Sequence, residues 1–344
     1  MRPTRRGYAV AAVVVLAVAS ASLFGARGLN AIAGPAAVAL AYAAFSVWRV
    51  EAPVVERDLP DRGEQGREVT VKLSLEVDRP YSARLVDAVG DGLLAEGNDR
   101  AVTVGGDPVR YRLSLRRRGD REVGPATVEA RDVLGLATTT FEVEATETIL
   151  VRPPVYPLAG ARADELVWTF GGGDDRREFD FLRHYRRGDP LRDIHWPSSA
   201  KVPDEGLVVK HFSTDEGASS VRLAGESQVG HADELAAATA SLAVHLLTAG
   251  LRVELALPDT RLDARGGHEQ RDRVLDALGR TRGGTLRDGD RRGADVLVTA
   301  GEDGVTVRVA DRVSRFNEVA GREISVPPRE SPEGGLVDRL GGLA

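Results

Sequence analysis

Hydrophobic and polar positions change their spacing twice along this chain. Residues 8–24 and 29–48 contain no charge and are mostly Ala, Val and Leu. At about 1.5 Å per residue they reach roughly 25 Å and 30 Å, close to the thickness of a bilayer core. Arg27-Gly28 between them leaves room only for a tight turn. The spacing therefore predicts a transmembrane helical hairpin within residues 1–50. Tyr8 and Trp48 stand at span ends, where amphipathic aromatics settle. Arg2, Arg5 and Arg6 precede the first span and Arg49 follows the second. The positive-inside rule then places both flanks, and the soluble domains, on the cytoplasmic side of the cell membrane, with Arg27 dissenting. Two other readings stay open. Ala19-Ser20-Ala21 resembles a signal-peptide cleavage site. Ala-rich helices of this length also occur buried in soluble cores.

From residue 51 to 152 the period becomes two. Val69, Val71, Leu73, Leu75 and Val77 alternate with Thr70, Lys72, Ser74, Glu76 and Asp78. Val109, Tyr111, Leu113 and Leu115 alternate with Arg110, Arg112, Ser114 and Arg116, and Phe141–Val143 and Ile149–Val151 add shorter runs. Breaks such as Gly105-Gly106-Asp107-Pro108 separate them. Half-buried antiparallel strands with no long helix between them predict a β-sandwich.

After residue 213 strand and helix signals alternate. Strands are expected at 220–223, 251–257, 296–298 and 305–309, and helices at 232–249 and 269–279. The first helix would turn Leu235, Ala238, Leu242, Leu246 and Ala249 to one face; the second would turn Val274, Leu275 and Leu278 inward. This order predicts an α/β domain over 214–324 with a mainly parallel sheet. Residues 325–344, rich in Pro, Gly and charge, read as a flexible tail.

Composition narrows the function. The chain has 344 residues and a net charge of -6, without the basic excess of a nucleic-acid binder. It contains no Cys, so zinc-thiolate sites and thiol nucleophiles are excluded. The stretch between the two soluble domains, 153–213, stands apart. Residues 174–193 hold six acids and six arginines, and Trp168 and Trp196 flank them. Charges set among buried-type aromatics must be paired, which predicts an ion network.

Within it, Glu178, Phe179, Arg183, Tyr185, Gly188, Asp189, Arg192, Ile194, His195, Trp196, Ser199, Ala200 and Lys201 stand at the spacing E-F-x-x-x-R-x-Y-x-x-G-D-x-x-R-x-I-D/H-W-x-x-S-A-R/K. This resembles the signature of the domain of unknown function 58 family. His195 stands where the acidic residue is usual. Arg118-Gly119, Gly124-Pro125 and Asp132-Val133-Leu134-Gly135-Leu136 resemble that family's β-rich segment. The resemblance implies that the C-terminal domain is von Willebrand factor type A-like. Such domains commonly hold a divalent ion through D-x-S-x-S after the first strand. Here Gly225, Glu226, Ser227, Gln228 and Val229 replace that motif, so no metal and no other cofactor is expected.

The resemblance also implies partnership with a MoxR-type AAA+ ATPase and with other type A-domain proteins, in assembly or maturation of envelope complexes. The expected function is a non-enzymatic, membrane-anchored scaffold. Its contact network would comprise Glu178, Phe179, Arg183, Tyr185, Gly188, Asp189, Arg192, Asp193, His195, Trp196, Ser199 and Lys201. Asp189, Asp193 and His195 also support a rival reading as a hydrolase site, although no H-E-x-x-H and no G-x-S-x-G accompanies them. Gly171–Gly173 lacks the Lys of a phosphate loop. A third reading is an extracytoplasmic, adhesion-like binding module.

Overall fold

The computed structural model describes residues 1–24, 27–159, 161–171, 182–184, 208–210 and 219–320. The chain divides into two compact units, Met1–Arg152 and Pro153–Ala344. The expected tail, 325–344, lies outside the described residues.

In the first unit two sheets pack face to face. One sheet has the order β2 (Val54–Asp58), β4 (Glu68–Glu76), β8 (Val109–Leu115) and β6 (Leu93–Glu96). The other runs β1 (Arg2–Pro3), β10 (Ala137–Val143), β9 (Gly119–Arg131), β11 (Glu147–Arg152) and β3 (Arg62–Glu64). β5 (Tyr81–Val89) pairs with both β9 and β7 (Asp99–Val104) in that second sheet. The period-two pattern explains the core. Leu73 and Leu75 of β4 meet Leu85 of β5 and Val128 of β9 between the sheets. Leu73, Leu85 and Leu113 are fully buried, and each contributes roughly 1.5–3 kcal/mol.

Two helices precede the sandwich, α1 (Arg5–Phe24) and α2 (Asn30–Trp48), joined by a short turn at Arg27–Leu29. Both are long and apolar enough to cross a membrane, and only 11% and 17% of their apolar windows is buried. Core helices of soluble proteins are packed on far more of their surface. The helices are consistent with a membrane anchor. Their sandwich end is tied down. β1 adds to β10 through Arg2↔Thr138 and Pro3↔Ala137, a strand that periodicity does not announce. Thr4 Oγ1 accepts the Gly7 amide at 3.1 Å, which caps α1. Gly7 is required by close approach, since a Cβ there would lie 2.1 Å from the Leu136 carbonyl oxygen.

The second unit begins with α3 (Ala161–Gly171) and a two-stranded pair, β12 (Leu182–His184) and β13 (Val208–Lys210). There follow β14 (Ser220–Ser227), α4 (Ala232–Thr248), β15 (Arg252–Ala256), β16 (Arg261–Arg265), α5 (Gly267–Arg280), α6 (Asp288–Arg292), β17 (Val296–Gly301), β18 (Gly304–Val309), β19 (Arg312–Arg315) and α7 (Phe316–Ala320). The sheet order is β16-β15-β14-β17-β18-β19. Only β15 and β17 run parallel to β14; the other pairings are antiparallel. The expectation of a mainly parallel sheet is corrected. The short turns after β15, β17 and β18 leave no room for a crossover helix, so each closes a hairpin.

The helix expectation is corrected too. Ala249 is exposed, while α4 is buried on almost every side from Leu235 to Ala243. Its alanines let neighbours approach closely. The sheet and α5 pack on it, and the Tyr156 amide donates to Ser241 Oγ at 2.9 Å. Val155, Tyr156 and Leu158 pack against this same core.

Candidate functional site

Most of the expected contact network lies outside the described residues: Glu178, Phe179, Tyr185, Gly188, Asp189, Arg192, Asp193, His195, Trp196, Ser199 and Lys201. So does the hydrolase set Asp189, Asp193 and His195. Arg183 falls in β12, with its backbone opposite Val209 of β13. Upstream, α3 is well anchored. Ala163 and Leu166 are buried, and the Ala163 carbonyl lies 3.2 Å from His245 Nε2. Arg162 pairs with Glu318, and Glu165 with Arg312. Between α3 and β18, Arg162, Glu165, Leu166 and Arg312 line a groove of about 560 Å³. Trp168, read from sequence as a buried-type aromatic, is instead 75% exposed. It sits on the face of α3 opposite Leu166, which the core has already taken.

A second candidate is the C-terminal end of β14, where open α/β sheets take their ligands. Four of the five residues replacing D-x-S-x-S are engaged. Gly225 is packed between Leu235 and Leu257. One Glu226 carboxylate oxygen accepts Arg291 Nη2 at 2.6 Å, Arg291 Nε at 3.2 Å and the Leu286 amide at 3.3 Å. That hydrogen bond, reinforced by the charge of Glu226, raises the pKa of Arg291 above its ordinary value. The Ser227 amide donates to the Gly284 carbonyl at 2.9 Å, and Ser227 Oγ accepts the Gly284 amide at 3.3 Å. Gln228 Oε1 accepts the Glu302 amide at 3.2 Å. Only Val229 points fully into solvent.

The chain's own segment from Thr281 to Leu286 thus forms a strap over this edge. Asp259 holds its start, accepting Thr281 Oγ1 at 3.0 Å and the Arg282 amide at 3.0 Å. Gly283 adopts φ +75, and a Cβ there would fall 2.2 Å from Ser227 Oγ. Sequence reasoning passed over Arg291, Asp259 and the strap. The adjacent pair Gly283-Gly284 was the available signal, as a place where backbone approaches backbone.

A third polar cluster lies between the sheets of the first unit. Arg57 of β2 donates to Asp87 of β5, with Nη2 to Oδ1 at 2.6 Å and Nε to Oδ2 at 3.1 Å. The Tyr111 hydroxyl donates to Asp87 Oδ2 at 2.7 Å. Arg57 Nη1 also reaches the Ala145 carbonyl. The register of β5 against β9 slips between Asp87 and Val89, a bulge of the kind that re-aims a side chain. Burial first, then the charge of Asp87, pushes the Tyr111 hydroxyl well above the ordinary phenol range. Arg57 and Asp87 side chains are wholly buried. Sealed between two sheets and bonded across them, the cluster is a clamp between sheets.

No protein-family model matches the chain, and no curated protein matches it. Among solved structures it is similar to the PKD domain of an M14-like peptidase from a Thermoplasmatales archaeon. That match has 18% identity and a TM-score of 0.21, covering 27% of this chain and 95% of that one. It is similar to a cohesin module from a Clostridium perfringens family 33 glycoside hydrolase, at 14% identity and TM-score 0.21, covering 30% and 98%. It also matches the SrpA adhesin of Streptococcus sanguinis, at 9% identity and TM-score 0.20, covering 39% and 82%. Likenesses this distant carry no argument about function.

Proposed function

We propose that this protein is a membrane-anchored scaffold. In this reading α1 and α2 cross the cell membrane, and both soluble units face the cytoplasm. The second unit is a degenerate type A-like domain. The partners are a MoxR-type AAA+ ATPase and type A-domain proteins, contacted through the signature residues of 178–201. The observation that carries the reading is the strap. At the sheet end where a small ligand or ion would enter, Glu226, Ser227 and Gln228 are bonded to the chain itself. An edge satisfied internally favours surface recognition over small-molecule chemistry. Arg2, Arg5 and Arg6 before the first span and Arg49 after the second support the cytoplasmic orientation.

The test is affinity purification of the detergent-solubilised, full-length protein from its native host, beside Arg192→Ala. Recovery of an AAA+ ATPase or a type A-domain protein with wild type, lost in a variant with unchanged hydrogen exchange, is the expected result. Wild type that brings down neither class overturns the reading. A reporter fused after Ala344 tests the side: activity outside the cell would contradict the cytoplasmic placement.

A further inference from the structure

The turn between β9 and β10 has an unusual tip for a sandwich surface: Val133 is 91% exposed and Leu134 49% exposed. The turn is nonetheless rigidly built. Asp132 Oδ2 accepts the Leu134 amide at 2.8 Å, and Oδ1 accepts the Ala137 amide at 2.7 Å. Its apolar tip is therefore held out, because the buried carboxylate locks the backbone around it.

The root of the turn meets the ends of both helices. Thr4 donates its amide to the Leu136 carbonyl at 2.9 Å and its hydroxyl to the Gly135 carbonyl at 2.6 Å. Leu136 and Ala137 share a cluster with Ala43, Val47, Val10 and Leu40. Val10 lies five positions into α1, or about 8 Å along its axis. The turn thus stands level with the first apolar turns of the hairpin. Tyr8 and Trp48 are exposed at this same end, as are Arg2, Arg5, Arg6, Arg49 and Arg131. Aromatics and arginines at the same end as an apolar tip match the layering of a bilayer surface, with headgroup anions outside and acyl chains within.

The geometry points to a third membrane-contacting element: Val133 and Leu134 enter the lipid interface beside the hairpin and seat the sandwich on the bilayer. This rests on the reading of α1 and α2 as membrane spans. The occupant of the patch is lipid, because the turn that carries it is bonded to Thr4 and packed through Leu136 and Ala137 on both helices, so the medium around their exposed apolar flanks also meets the tip.

The chain has no Cys, so one introduced thiol labels one position. Val133→Cys, Leu16→Cys and Arg67→Cys would each carry an environment-sensitive fluorophore. The full-length protein would be reconstituted into phosphatidylcholine vesicles with a minority of phosphatidylglycerol. Leu16 lies mid-span and is 66% exposed. Arg67 precedes the far end of β4, nine residues from Glu76, or roughly 30 Å. The label at 133 is expected to be blue-shifted and quenched severalfold more than that at 67 by headgroup-level nitroxide lipids. A water-like signal at 133, with the label at 16 quenched by deep nitroxides, overturns the lipid contact and leaves the spans standing. No deep quenching at 16 overturns both.

Discussion

Asp87 and Glu226 each face an arginine, in opposite surroundings. Asp87 lies between two sheets, where neither its side chain nor that of Arg57 has any exposed surface. Glu226 sits at a sheet rim, its side chain 12% exposed and that of Arg291 39%. The first pair, with Tyr111, joins three strands across a core. The second pins the short helix α6 to an edge. Water decides the difference. A buried ion costs several kcal/mol unless its partner and hydrogen bonds are complete, whereas solvent at the rim can take over part of what an arginine supplies.

Asp87→Ala should break this comparison hardest. It leaves Arg57 charged and buried without its partner, at an expected cost of about 3–5 kcal/mol. Hydrogen exchange on the full-length protein in detergent would show lost protection in β4, β5 and β8, with β14 and β17 unchanged. Retained protection would make the clamp dispensable. Gly283→Ala probes the rim. A left-handed backbone costs a non-glycine residue roughly 1–2 kcal/mol, and the new methyl would press on Ser227 Oγ and on Ala232. Faster exchange of the Ser227 and Gly284 amides is expected, with β4 and β8 unaffected; native rates there would show that the strap is not held by this approach.

Alkaline pH sharpens the contrast further. Burial pushes the Tyr81 hydroxyl from 10.0 up to about 12, and its proton bonds the Glu51 carbonyl at 2.9 Å. The folded pKa is the higher one, so this contribution is complete below pH 10 and is lost as pH rises towards about 12. Denaturant midpoints of the sandwich should fall across that window, and fall less in Tyr81→Phe. An equal fall in both proteins would exclude Tyr81 as a source. The smallest effect is expected at the exposed pair Arg84–Asp99, with side chains 62% and 45% accessible. Arg84→Ala should leave the midpoint unchanged, and a clear drop would place this pair nearer to Asp87 in character than to a screened surface contact.

Elements with a sustained period were legible. β4 and β8 bury the alternating residues that name them, Val71, Leu73, Leu75 and Val109, Tyr111, Leu113. β5 was not legible, because its inner face reads Ala83, Leu85, Asp87, and a charge there interrupts the pattern. β16 and β19 are edge strands with exposed, charged positions, and β1 is two residues long. None of these supplies a run long enough to show a period. The rim of β14 was partly legible: the missing D-x-S-x-S was visible, but what replaced it was not.

Sequence by itself determined the two apolar helices, the alternating strands of the sandwich and the strand–helix order of the second unit. These follow from local periodicity, which records which face of an element is apolar. Tertiary structure alone decided the Arg57–Asp87 clamp, the strap on Glu226 and the docking of the β9–β10 turn on the hairpin. Their partners lie 30, 60 and 131 residues apart. Such polar pairs carry no period, and their strength depends on how much water the surrounding fold removes.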